Sequence, residues 1–145
     1  MKKRATLALL VTLPIIAGCG IKPRAATPAR NVGHLITHEE IERSGARTMW
    51  EALSKTVRYA RFQESGTGTP ERIRRRGSSS IVLTEDMPIY IDQVRVSEVR
   101  VLASLPARDI DHIQVLNGLD ATTYFGTNAG DGVILITTVE AERGR

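Results

Sequence analysis

The sequence predicts an α+β domain, a small mixed β-sheet with short helices packed on it. Three observations predict this class. Residues 109–138 read as strand, turn, short helix, tight loop and strand, opening on Ile110, Ile113 and Val115 and closing on the β-branched run Val133–Thr138. Upstream, short apolar runs alternate with short helix signatures, and some consecutive runs have hairpin spacing, which suits a sheet with helices better than a sandwich or a bundle. The 145 residues allow one domain with a modest core.

That core begins well inside the chain. Lys2, Lys3 and Arg4 precede an apolar run, residues 5–17, that is too short to span a bilayer as a permanent helix, so residues 1–18 read as an export signal. Without those three cations the formal charge falls from +4 to +1, and the basic pI gives little support to a nucleic-acid partner. The signal ends in Ile16-Ala17-Gly18-Cys19, which resembles the lipobox of bacterial lipoproteins. The resemblance implies cleavage before Cys19, a diacylglycerol on its thiol and a membrane partner held through that lipid; two or three acyl chains anchor a protein stably where one does not. Gly20 is not the aspartate associated with inner-membrane retention in enteric bacteria, so by that analogy the chain is expected at the outer membrane, its domain facing the periplasm. Cys19 is the only cysteine, which leaves no thiol for a disulfide, a thiolate metal site or a nucleophile once it is lipidated.

Residues 19–32 carry prolines, alanines and cations without apolar periodicity and read as a tether reaching up to about 40 Å. The domain is expected over residues 33–139. His34, Leu35 and Ile36 suggest a brief strand; Thr37 with Glu40 is a capping-box signature, and Ser44-Gly45 stops the helix that it starts. A second helix from Thr48 puts Met49, Trp50 and Leu53 on one side, with Trp50 as a core anchor. Val57, Tyr59, Ala60 and Phe62 give a ragged strand signal before the polar loop of residues 64–70. Two strands joined through Ser78, Ser79 and Ser80 are expected next, one carrying Arg72 to Arg76 and the other Ile81, Val82 and Leu83. Residues 88–92 resume strand character, with Pro88 at the first position. Ser97 is placed to cap a helix carrying Val99, Leu102 and Leu105, which Pro106 ends. Residues 140–145 are left as a charged tail.

Few of these residues suggest chemistry. The glycine loop from Gly126 to Gly132 lacks the Lys-Ser/Thr of a Walker motif and leads into a strand, so it reads as a turn. His34, His38 and His112 are too few and too scattered for a metal site. Ser78, Ser79 and Ser80 lack the elbow that a nucleophile serving with His112 and Asp92 would need. No cofactor and no enzymatic reaction are expected. Strand alternation places Arg72, Arg74 and Arg76 on one face, where three guanidiniums suit an anionic ligand or envelope polyanion; the alternative is a solvated face paired with Glu71, Glu85 or Asp86.

Four ordered pieces resemble the plug domain of TonB-dependent outer-membrane receptors. They are Ile36-Thr37-x-Glu39-Glu40-Ile41-Glu42 with Gly45, Ala46 and Leu53 after it; Arg76-Gly77-Ser78-Ser79-Ser80; Pro88-Ile89-Tyr90-Ile91-Asp92 with Val94 and Val96; and Asp109-Ile110-x-x-Ile113-x-Val115-Leu116-x-Gly118, running on to Tyr124-x-Gly126 and to Gly132 through Thr138. The resemblance implies the plug fold and a role related to outer-membrane transport. The sequence departs from the family pattern at Arg75, where an apolar residue is usual, and at Gln93, where glycine is usual. It also ends seven residues past Thr138, without barrel strands. The expectation is therefore a free-standing plug acting as an interaction or accessory module, partnered by an outer-membrane β-barrel or another envelope protein.

Overall fold

The computed structural model describes residues 28–77 and 86–144. Its centre is a five-stranded mixed sheet in the order β1-β6-β7-β4-β5, formed by β1 (His34–Thr37), β6 (Ile110–Leu116), β7 (Val133–Thr138), β4 (Ile89–Ile91) and β5 (Val94–Arg95). Only β4 and β7 run parallel; the other neighbours are antiparallel. A separate antiparallel hairpin joins β2 (Ala60–Glu64) to β3 (Pro70–Arg75).

Two cores follow from the two faces of that sheet. Ile36, Ile89, Ile113, Val115, Ile134 and Ile136 project to one side, into the main core that holds Ile41 of α1 (His38–Arg43), Trp50 and Leu53 of α2 (Met49–Thr56) and Ile73 of the hairpin. Leu116 and Val133 project to the other side, where Ala121 of α3 (Gly118–Phe125) closes a smaller cluster. Each fully buried aliphatic side chain contributes roughly 1.5–3 kcal/mol, so the larger face carries most of the hydrophobic stabilisation.

A bulge sets the register of β6. Ile110 and Ile113 are three residues apart and would face opposite ways in a regular strand, yet both are fully buried in the main core. The pairing with β7 skips Asp111, matching Ile110 to Thr138 and His112 to Thr137, and this extra residue restores the phase.

The helix signals are realised as atoms. Thr37 Oγ1 accepts the Glu40 amide at 3.4 Å, and Gly45 follows the helix at φ +64°. Thr48 Oγ1 accepts the Glu51 amide at 3.2 Å to start α2, and Asn117 Oδ1 accepts the Asp120 amide at 3.0 Å to start α3. Trp50 is the core anchor expected, 4% exposed, with its ring edge-on to Phe62 and its Nε1 donating to Glu64 at 2.6 Å.

Other expectations shift. Val57 terminates α2 and Tyr59 is exposed, so the ragged strand begins only at Ala60. In place of a helix capped by Ser97 there is a 3-10 helix, Val99–Ala103, entered from Glu98 without a side-chain cap; Leu102 still anchors it in the core. Much of the charged tail is helical: Val139–Arg143 forms α4, capped by Thr138 Oγ1 on the Ala141 amide at 3.2 Å. The tether is already docked from Pro28, which is buried, and Gln114 Nε2 donates to the carbonyls of Ala29 and Val32 at 2.8 and 2.6 Å. The strand expected at Ile81, Val82 and Leu83 lies outside the described residues, as do Ser78, Ser79, Ser80 and Cys19.

Candidate functional site

The charged residues singled out in the sequence come together around the β2–β3 hairpin. Cross-strand pairing sets Arg61 opposite Arg74 and Gln63 opposite Arg72 on one face, while Ala60, Phe62 and Ile73 turn to the core. Arg72 and Arg74 share one carboxylate: Arg74 Nε lies 3.5 Å from Asp86 Oδ1, and Arg72 Nε lies 3.9 Å from Asp86 Oδ2. Arg76 lies past the end of the strand, and its amide donates to the Tyr59 carbonyl at 2.8 Å. Arg72 and Arg74 thus share one face of β3, and Arg76 follows the end of the strand; Arg61 is the cation directly across from Arg74.

Two concavities meet at Arg72 and Asp86. The larger, about 1040 Å³, runs between the hairpin and the 3-10 helix; its carboxylates Glu64, Glu71, Asp86 and Glu98 offset Arg72, Arg74 and Arg100. The smaller, about 590 Å³, reaches across the sheet edge to Tyr90, Arg95, Phe125 and Asn128. Tyr90 and Arg95 are direct partners across the β4–β5 hairpin, and the Tyr90 ring rests on Phe125 with centroids 4.8 Å apart.

The remaining candidates have structural duties. Asp92 Oδ1 and Oδ2 accept the Thr138 amide and hydroxyl, each at 2.8 Å. His112 is buried with its Nδ1 2.6 Å from Asp111 Oδ2, far in role from Asp92. His38 meets the Ile110 carbonyl and Glu42, and His34 lies edge-on to Tyr59. Among the described residues no three His, Cys, Asp or Glu side chains converge as metal ligands. Arg30 of the docked segment reaches Asp111 Oδ2 at 3.0 Å and Glu142 Oε1 of α4 at 3.2 Å, tying the two ends of the domain together. Gln114, a buried amide of β6, meets the same docked segment through the Ala29 and Val32 carbonyls.

A family model for the TonB-dependent Receptor Plug Domain matches residues 23–133. The chain belongs to the plug-domain family of TonB-dependent receptors. Among curated relatives, this plug is 33% identical over 90 residues to the TonB-dependent receptor SusC of Bacteroides thetaiotaomicron, covering 56% of the chain and 9% of the relative. It is 38% identical over 72 residues to TonB-dependent receptor P3 of Formosa agariphila, covering 49% of the chain and 7% of the relative. The chain therefore spans less than a tenth of either relative's length. Among solved structures, the siderophore receptor PirA from Acinetobacter baumannii aligns with TM-score 0.51 and 26% identity over 72% of this chain and 17% of its own. The RagAB peptide importer in its closed-closed state shares the fold at TM-score 0.56 and 22% identity, over 74% of this chain and 12% of its own.

Proposed function

We propose that this plug domain belongs to a non-enzymatic, lipid-anchored protein of the outer membrane, faces the periplasm, and serves transport as an interaction or accessory module engaging a β-barrel or another envelope protein. The observation that carries the reading is family membership over residues 23–133, joined to the five-stranded sheet of the fold. The relatives named as TonB-dependent receptors support the link to transport, and the lipobox ending at Cys19 supports the anchor. Feeding cells a palmitate analogue and fractionating their envelopes tests the anchor: label on the native chain, its loss in Cys19→Ala, and co-sedimentation with outer membrane are expected. An unlabelled chain in the soluble periplasmic fraction would contradict it.

A second reading makes Arg72, Arg74 and Arg76 the contact for an envelope polyanion. It is favoured less, because Asp86 stands against both Arg72 and Arg74 and Arg76 lies beyond the end of β3.

A further inference from the structure

The smaller concavity has the make-up of a ligand site. Among the described residues the Arg95 guanidinium, the Asn128 carboxamide and the Tyr90 hydroxyl have no hydrogen-bonding or ionic partner, although all three line the same cleft. The fourth donor, Arg72, has only its 3.9 Å pairing with Asp86, well beyond the roughly 2.7–2.9 Å of a made charge-assisted hydrogen bond. Beside these donors lie the rings of Tyr90 and Phe125, tilted 38° to each other and both half-buried. The cavity falls within the roughly 300–1,000 Å³ of small-molecule sites and sets polar groups beside an aromatic pair, though its lining is more polar than most such sites.

We infer that this cleft binds a small ring-bearing monocarboxylate, its carboxylate between Arg95 and Arg72 and its ring against Tyr90 and Phe125. Charge selects the anion. Arg72 and Arg95 against Asp86 leave one net positive charge in the cleft, which a monoanion neutralises and a phosphate dianion overfills. The larger groove offers no such surplus, since four carboxylates there outnumber three guanidiniums. Guanidinium forks match a carboxylate's two oxygens, Asn128 and the Tyr90 hydroxyl supply neutral donors, and the rings exclude water from the ligand's apolar face. The site does not require the lipid anchor, so its test is independent of the anchoring proposal.

Benzoate is the probe, titrated into the purified full chain by calorimetry, with benzamide and inorganic phosphate as comparisons. Saturable one-to-one benzoate binding is expected, with benzamide weaker by about tenfold or more, the cost of one lost charge-assisted contact. Arg95→Gln should weaken benzoate by a similar factor and Phe125→Leu by several-fold, while Arg100→Gln, on the larger groove, leaves it unchanged. Thermal melts of the variants confirm that these exposed or half-buried changes keep the fold. Absence of saturable benzoate binding, equal binding of benzamide, or indifference to Arg95→Gln in a folded variant would overturn the site. Phosphate binding as tightly as benzoate would overturn the ring-bearing class.

Discussion

Asp92 and Gln93 occupy the left-handed region at φ +48° and +71°, where a non-glycine residue is strained. The Asp92 carboxylate answers that strain by taking both the amide and the hydroxyl of Thr138, and its own amide donates to the Ile136 carbonyl at 2.9 Å. Asp92→Ala should therefore destabilise the domain by about 2 kcal/mol, measured by chemical denaturation, because it leaves the half-buried Thr138 donors without their acceptor. Glycines divide by the same physical test. A Cβ on Gly118 would come within 2.0 Å of the Gly130 carbonyl oxygen, whereas a Cβ on Gly45 meets open space and pays only for its positive φ. Gly118→Ala should cost several kcal/mol and Gly45→Ala roughly 1–2 kcal/mol; equal costs would show that backbone crowding at α3 is relieved by movement. In the sequence Gly118 reads as a turn former. Its real role, close approach to a loop twelve residues on, depends on tertiary packing that spacing alone does not contain.

The elements closest to legible are those written in local chemistry. Thr37 with Glu40, Thr48 with Glu51 and Gly45 define two helices because a cap is made by residues three or four apart. Strand β5 was hidden because its turn uses Asp92 and Gln93 in place of glycine, and the bulge at Asp111 was hidden because only the pairing with β7 reveals it. The start of α2 also predicts a pH effect. The Arg47 backbone amide, donating to Glu51 Oε2 at 3.0 Å, holds the Glu51 carboxyl below its ordinary value, with Lys55 adding a smaller pull in the same direction. A carboxyl lowered in the folded state contributes stability above its unfolded pKa and loses that contribution as pH falls through the folded value. Melts of native chain and Glu51→Gln should therefore differ near neutral pH and converge in acid. A gap that widens in acid would reverse the sign.

At the scale of the whole molecule, strands β6 and β7 with the glycine-rich connection between them gave the family away, since that stretch is contiguous in sequence and central in the sheet. The cleft was not legible. It gathers β3, β4, β5 and the end of α3, and no window of the sequence holds Arg72, Arg95 and Phe125 together. The docking of residues 28–32 was equally hidden, because Arg30 and Gln114 meet partners more than eighty residues away. That contact gives the proposed tether a fixed exit point, beside Asp111 and α4. The module proposed above, held there, would present the rest of its surface to an envelope partner. Photo-cross-linking in intact cells, from a probe placed at exposed Leu119 or Val94, tests this most directly. Recovery of an outer-membrane β-barrel protein, dependent on Cys19, is the predicted result. Adducts confined to soluble periplasmic proteins, unchanged by Cys19→Ala, would contradict it.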